Sequence, residues 1–293
     1  MPQHKIDIAI IGVQKAATTS LHRYMGMHPD VLTHERLEFA FFVDDDEFAD
    51  GYDKAYSKYF TNHQSEKKLL IKNVGIIYWE DALKRLQEHN PDARLILVLR
   101  NPVDRAYSAF QYAKMMGFEK ATTFEEAINQ DLHAIKDKII RGTVDYLGRG
   151  DYADQLAMLF KYFPESQVKV LLQEDLQRDP TSVLKSCFAF CGLDDGFTPD
   201  FTKKFNESGR SRIPLVMQLL KRTRVVRKKI SFLLPTSLRQ KLLGGIERMN
   251  RQDYKPEPIK LETRDFLIRY YQEKNIQLGQ LLNRDLSEWN QVK

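Results

Sequence analysis

Cysteine is scarce in this 293-residue chain: Cys187 and Cys191 are the only two, too few for a disulfide framework. Their four-residue spacing in CFAFC puts both on one face of an expected helix. No His or Cys partner is near in sequence, so they read as core packing rather than a metal pair. The seven histidines, at positions 4, 22, 28, 34, 63, 89 and 133, show no H-E-x-x-H spacing, and no metal is expected. No apolar run approaches the ~20 residues that span a bilayer. The chain passes from MPQHK directly into a strand, which reads as a cytoplasmic protein. Internal repeats and low-complexity tracts are lacking as well.

What the chain does have is enough apolar content, 42% over its whole length, to bury a substantial core. Short runs rich in Ile, Leu and Val predict strands at 6–11, 68–73, 94–99 and 168–172, of the kind that a parallel sheet buries on both faces. Helical spacing predicts helices at 18–27, 79–89, 103–116, 123–140, 150–162, 180–191, 214–231, 236–249 and 261–282. Pro91, Pro102, Pro164 and Pro180 fall at the boundaries, where their fixed φ and missing donor are tolerated. Alternation of this kind means crossover units and an α/β fold: a P-loop-like central parallel β-sheet flanked by helices, with a mainly helical C-terminal part.

Charge is uneven. The overall balance is +5, yet residues 203–251 hold fourteen Lys and Arg against two Glu, so the basic character is regional. Within that region, 214–234 sets Leu215, Val216, Leu219, Leu220, Val226 and Ile230 at roughly helical spacing with cations opposite. Three readings stay open: a solvated outer helix, a helix on an anionic membrane surface, or a wall that attracts an anionic acceptor. Nucleic acid is not the expected partner, because the stretch offers only Phe232 as a stacking platform.

The most informative segment is IAIIGVQKAATTSLHRYMGMH, residues 8–28. An apolar strand runs into a short loop with one cation, Lys15, and then into a helix that opens on Thr18, Thr19 and Ser20. Backbone N–H groups, hydroxyls and an ammonium converge there on a place for an anion. A nucleotide triphosphatase would carry G-x-x-x-x-G-K-[ST]. Here the lysine follows Gly12 by three positions and the second glycine is absent, so the loop should be shorter and hold a smaller group. A second strand-to-helix segment, RLILVLRNPVDRAYSAF at 94–110, ends its strand on Arg100 where a triphosphatase has a metal-binding Asp. An arginine at the end of a buried strand needs an anionic partner. Two anion sites on neighbouring strand ends imply a ligand with two separate anionic groups.

At these residues the chain resembles the sulfotransferases that use 3'-phosphoadenosine 5'-phosphosulfate (PAPS). GVQKAATTSL is similar to their 5'-phosphosulfate loop, and LRNPVDRAYSAF to their 3'-phosphate loop. Residues 148–193 and 262–289 are similar to later blocks of the family, while 44–66 and 213–258 match it thinly. The resemblance implies one sulfotransferase domain over 1–293, with 203–258 a basic helical insertion or acceptor-side subdomain. It also implies PAPS as donor, adenosine 3',5'-bisphosphate as product and no metal requirement. Lys15, Ala16, Ala17, Thr18, Thr19 and Ser20 would hold the 5' end, although Thr19 or Ser20 could be only a helix cap. Arg100 and Ser108 would hold the 3'-phosphate, and Arg210 or Arg212, in FNESGRSR, could reach it.

The segment HERLEFAFF, residues 34–42, is similar to the K-E-P-x-F-F pattern of the heparan-sulfate-like branch and sets Glu38 on the catalytic glutamate. The family's lysine is Leu37 here and its proline is Phe39. A general base near the transferred group is required, and both Glu38 and His34 are candidates. LLIKNVGIIYW resembles E-K-x-P-x-Y, which makes Lys72 an active-site cation and keeps Tyr78. His28 and Arg105 read as structural. The expected function is sulfuryl transfer from PAPS to a hydroxyl or amine of a glycan, glycolipid or small metabolite, with Lys15 stabilising the departing oxygen. The alternatives are a P-loop nucleotide phosphotransferase or kinase, and a non-catalytic polyanion-binding module.

Overall fold

The structure, a computed structural model, describes residues 4–34, 36–60, 67–137, 139, 142–202, 210–211, 251–252 and 258–291. It divides into two compact units. The first comprises Met1–Arg105, Arg149–Asn206 and Asp265–Lys293. Its centre is a parallel sheet of β1 (Ile8–Gly12), β2 (Val31–Thr33), β3 (Lys68–Lys72), β4 (Arg94–Leu99) and β5 (Val168–Leu172) in the order β2-β3-β1-β4-β5. The order follows from composition. IAIIG and RLILVL, apolar on both faces, lie in the middle, and all of β1 is buried. The edges go to VLT, only three residues long, and to VKVLL, whose first three residues are half-exposed. Short or partly polar strands suit an edge, because they offer little template for further pairing.

Helices α1 (Thr18–Met25), α2 (Asp45–Ala49), α3 (Tyr52–Tyr59) and α4 (Glu80–His89) belong to this unit, as do α7 (Tyr152–Leu159), α8 (Gln173–Arg178) and α9 (Pro180–Phe190). Asn101 stops β4 and starts α5 (Pro102–Met115): its side-chain oxygen accepts the Val103 N–H at 3.0 Å, and Pro102 follows at the first helical position, where its missing donor costs nothing. Asp179 and Pro180 start α9 in the same way, the Asp179 carboxylate accepting from Ser182 N–H at 3.0 Å. Cys187 and Cys191 are both buried and unbridged in and beside α9.

The second unit comprises Ala106–Gly148 and Glu207–Arg264. It holds most of α5, α6 (Phe124–Lys136), the start of α10 (Leu261–Leu282) and a two-residue antiparallel pair of β6 (Arg210–Ser211) with β7 (Arg251–Gln252). Asp131, buried on α6, accepts the N–H groups of Tyr146 at 2.7 Å and Leu147 at 2.9 Å. Phe110, Phe124 and Tyr146 pack as rings beside it.

Six elements were not expected from the pattern: β2, α2, α3, α8 and the two-residue strands β6 and β7. Three residues are too few to show alternation in β2. Helix α3 buries only Ala55 and Tyr59, so its apolar stripe is a single i,i+4 pair. The expected helices at 214–231 and 236–249, and with them the membrane-surface reading of 214–234, lie outside the described residues. Among the described residues no helix is long and apolar enough to cross a membrane.

β1 is pinned from both sides. Ile10 pairs with Lys72 of β3 and with Ile96 of β4, and Gly12 with Leu97. The carboxyl ends of β1, β3 and β4 therefore lie together at the point where strand order reverses, the usual place for a ligand crevice in open α/β sheets. Gly12 is required there by space: a Cβ would lie 2.5 Å from Ile77 Cγ2 and 3.2 Å from Leu97 Cδ1. Gly12→Ala should lower unfolding stability by about 1–3 kcal/mol in urea titrations. Adding Ile77→Ala, which removes the contacting methyl, should cost less than the sum of the two single changes.

Candidate active site

The loop after β1 turns without the glycines that a phosphate-wrapping loop normally uses. Lys15 and Ala17 take left-handed backbone, with φ of 69° and 59°, and Ala16 between them does not. Alternation of this sort turns successive N–H groups toward one point and forms an anion-binding concavity. Holding two non-glycine residues left-handed costs of order 1–3 kcal/mol each, which the buried strand before and the helix after must over-determine. Helix α1 begins at Thr18 with Ala17 as its N-cap and no side-chain cap. Thr18, Thr19 and Ser20 are thus the first three helical residues, and neither Thr19 nor Ser20 occupies the cap position. Thr18 is buried, whereas Thr19 and Ser20 are half-buried. Lys15 is half-buried, and its pKa is lowered by burial and by the Arg100 charge.

Arg100 follows β4 directly. Its Nη1 donates to the Lys15 carbonyl at 3.0 Å, and its own carbonyl accepts from the Tyr152 hydroxyl at 2.9 Å. The first bond ties the loop after β1 to the loop after β4. Burial lowers the Arg100 pKa, and the largest compensating influence is the charge of Asp104, in the first turn of α5. Ser108 lies further along α5, in the second unit, and is half-buried. Arg210 belongs to β6, also in the second unit, and Arg212 lies outside the described residues.

The third strand end brings two expected residues into direct contact. Lys72, 1% exposed, donates through Nζ to Glu38 Oε1 at 2.5 Å. Glu38 Oε2 accepts from the Val74 N–H at 3.1 Å, and the Glu38 side chain stays 31% exposed. Burial raises the Glu38 pKa, an effect that the neighbouring ammonium partly offsets, and burial lowers that of Lys72. A half-exposed carboxylate over a buried ammonium is suited to take a proton from an approaching group. His34 is 2% exposed, and its Nε2 accepts the backbone N–H of Lys72 at 3.1 Å. Burial, with Lys72 second, pushes its pKa down to about 4. The ring is therefore neutral at physiological pH, and its lone pair is already engaged.

Other residues hold this arrangement and carried weaker signals in the sequence. Asn73 receives the Gly75 N–H on its side-chain oxygen at 2.8 Å and donates to the Phe39 carbonyl at 2.9 Å. The N-x-G spacing after a strand was its available sign. Tyr59, on the unexpected α3, accepts the Ala40 N–H at 3.1 Å. Tyr152 sits in the GRGDY segment and bonds the Arg100 carbonyl, which no local spacing reveals. His28 is structural: Nδ1 accepts from Asp30 N–H at 3.1 Å, and Nε2 lies 3.0 Å from the Asp194 carbonyl. Arg105 is fully buried. Tyr78 lies under the Arg149 guanidinium, 4.1 Å from its ring centre. Among the described residues no group of three or more His, Cys, Asp or Glu is placed to hold a metal.

A family model for the sulfotransferase domain matches residues 5–228. Human bifunctional heparan sulfate N-deacetylase/N-sulfotransferase 3 is 25% identical over 289 residues, covering 94% of this chain and 29% of that protein. Mouse bifunctional heparan sulfate N-deacetylase/N-sulfotransferase 1 is 27% identical over 289 residues, with the same shares. The chain thus spans less than a third of the length of these relatives. A solved sulfotransferase from Alicyclobacillus acidocaldarius shares the fold, with a TM-score of 0.68 and 24% identity over 97% of this chain and 98% of that one.

The buried imidazoles set an acid limit on stability. His34 and His89 both have pKa values near 4 against an ordinary 6.5, and His22, packed 4.7 Å from His34, is also well below 6.5. Between about pH 6.5 and 4 the unfolded chain binds these protons and the folded chain does not. Their contribution is therefore full above 6.5 and is lost as pH falls toward 4. Asp7 and Glu38, raised by burial, act in the opposite sense and gain stability on acidification. The melting midpoint should fall across this window, and His34→Gln, which cannot titrate, should reduce the total loss of stability across it by roughly 3 kcal/mol in pH-dependent denaturation.

Proposed function

The chain belongs to the PAPS-dependent sulfotransferase family, and from that premise we propose that it moves the sulfuryl group of PAPS to a hydroxyl or amine, with Glu38 as general base. The observation that carries this reading is the Glu38–Lys72 contact at 2.5 Å on the strand end beside the Lys15 and Arg100 loops. PAPS supplies a sulfuryl group on a phosphate leaving group. The residues present fit it: an uncapped helix start and a left-handed loop at Lys15 suit the 5' end, and a second cation at Arg100 suits the 3'-phosphate.

In this scheme the acceptor's oxygen or nitrogen forms a bond to sulfur while the bond from sulfur to the bridging phosphate oxygen breaks. Glu38 takes the acceptor's proton. Lys15 meets the charge that develops on the leaving oxygen, and the loop N–H groups spread it further. Once Glu38 is protonated, the Lys72 ammonium loses its carboxylate partner and turns its charge to the transferring sulfuryl oxygens. In this scheme His34 does not serve as the base, because its lone pair at Nε2 accepts the Lys72 N–H. Ser108, Arg210 and Arg212 remain proposed 3'-phosphate contacts on the strength of the family likeness.

The acceptor is a glycan, glycolipid or small metabolite. Because the curated relatives are named for N-sulfotransfer to heparan sulfate, a sugar amine is the first acceptor to test. A cytoplasmic setting belongs to the same proposal, in agreement with two unbridged buried thiols. Contact of the cationic 214–234 stretch with an anionic membrane surface is part of it on sequence pattern alone.

Adenosine 3',5'-bisphosphate should raise the melting midpoint and ATP with Mg2+ should not, since only a ligand that prefers the folded state shifts it. Arg100→Ala should remove most of that shift. Lys15→Ala and Glu38→Gln should each lower kcat by about 10²-fold or more, measured with labelled donor and an acceptor panel. The acid limb of kcat/KM should lie above the ordinary glutamate value of 4.5. A normal rate in Glu38→Gln would remove it as the base.

A further inference from the structure

The last pairing of β2 on β3 joins Thr33 to Leu70. Two residues further along β3, the peptide of Lys72 faces a place that β2 no longer reaches. A buried N–H left there without an acceptor would cost about 1–3 kcal/mol. The acceptor is a side chain, His34 Nε2 at 3.1 Å. The other end of the same residue is also engaged from this side, the Lys72 carbonyl accepting the Phe39 N–H at 2.9 Å. Between those two bonds runs the loop 34–39, and its next-to-last residue is Glu38. Lys72 thus holds both ends of the loop that presents the carboxylate to its own ammonium.

We propose that His34 is a positioning residue: its imidazole stands in for a missing strand carbonyl, fixes the Lys72 peptide, and so sets the distance between the Glu38 carboxylate and the Lys72 ammonium. This rests on the assignment of Glu38 and Lys72 to the reaction. The role demands one tautomer, with the proton on Nδ1 and a bare Nε2. The ring is locked in place by Phe39, Tyr59 and Phe60, whose centres lie 5.9, 5.8 and 6.5 Å away, and by His22 at 4.7 Å. The charged groups that act on it are Lys72 and Arg23, both cationic. They oppose a second proton on the ring and so preserve the acceptor.

Two variants separate the acceptor from the packing. His34→Phe keeps a ring among the aromatic neighbours and deletes the acceptor; His34→Gln places an amide oxygen near the Nε2 position. His34→Phe should lower kcat about 10–100-fold, the scale of a misplacement near 1 Å, with donor KM within about twofold. It should also shift the acid limb of the pH–rate profile, and His34→Gln should restore both. Wild-type kcat and pH profile in folded His34→Phe would overturn the proposal, as would a Gln variant no better than Phe.

Should His34→Phe fail to fold, nitrogen-15 spectra of the wild-type imidazole decide the matter. An unprotonated Nε2 that persists to about pH 5 supports the role, and an Nε2–H tautomer refutes it. That measurement does not depend on turnover. Failure of the Glu38 assignment would show instead as an active Glu38→Gln, whatever the tautomer of His34.

Discussion

Like charges gathered at adjacent strand ends are the constraint on which this molecule is organised. The order β3-β1-β4 sets Lys72, Lys15 and Arg100 at the carboxyl ends of three neighbouring strands. Burial lowers the pKa of all three. Desolvated cations that repel one another destabilise a fold unless something nearby answers their charge. Two of them are answered differently: Lys72 has a carboxylate at 2.5 Å, and Arg100 uses a backbone carbonyl dipole and the field of Asp104. A dianionic nucleotide would relieve the Lys15 and Arg100 sites together, so the destabilised arrangement is intelligible as preorganisation for a ligand with charge at both ends.

The sheet and the turn from β1 into α1 were legible because their signals are local. IAIIG and RLILVL are apolar without alternation, and each is followed at once by its cation and a helix start. The pairing of Glu38 with Lys72 was legible only in part: both residues stood out, but nothing in their separate segments set the two side chains in contact. That contact depends on Asn73, Phe39 and the Lys72 peptide, which join across 34 positions of sequence through backbone groups. Backbone hydrogen bonds leave no residue type behind to read. The same reason hid Tyr152, whose hydroxyl acts on the Arg100 carbonyl, and α3, whose task of holding Ala40 through Tyr59 needs only one buried face.

The departure from a glycine-rich phosphate loop has a structural counterpart. A loop with two glycines reaches left-handed backbone cheaply. Here Lys15 and Ala17 reach it at a cost, and the conformation is held by β1 on one side and α1 on the other. The lysine therefore occupies a strained turn position itself, rather than following the loop on the first turn of the helix.

The position before Glu38, the proposed base, shows how one change is absorbed by another element. The resemblance sets a lysine beside the catalytic glutamate, and this chain has Leu37, a 58% exposed side chain. The ammonium that meets the Glu38 carboxylate comes instead from across the sheet edge, from Lys72. A cation on a buried strand is less mobile than one on an exposed loop, and its partner distance is set by backbone register rather than by side-chain choice. This chain thereby converts a loop interaction into a strand interaction. The register of β3, and whatever completes its hydrogen bonding at Lys72, then becomes part of the reaction geometry.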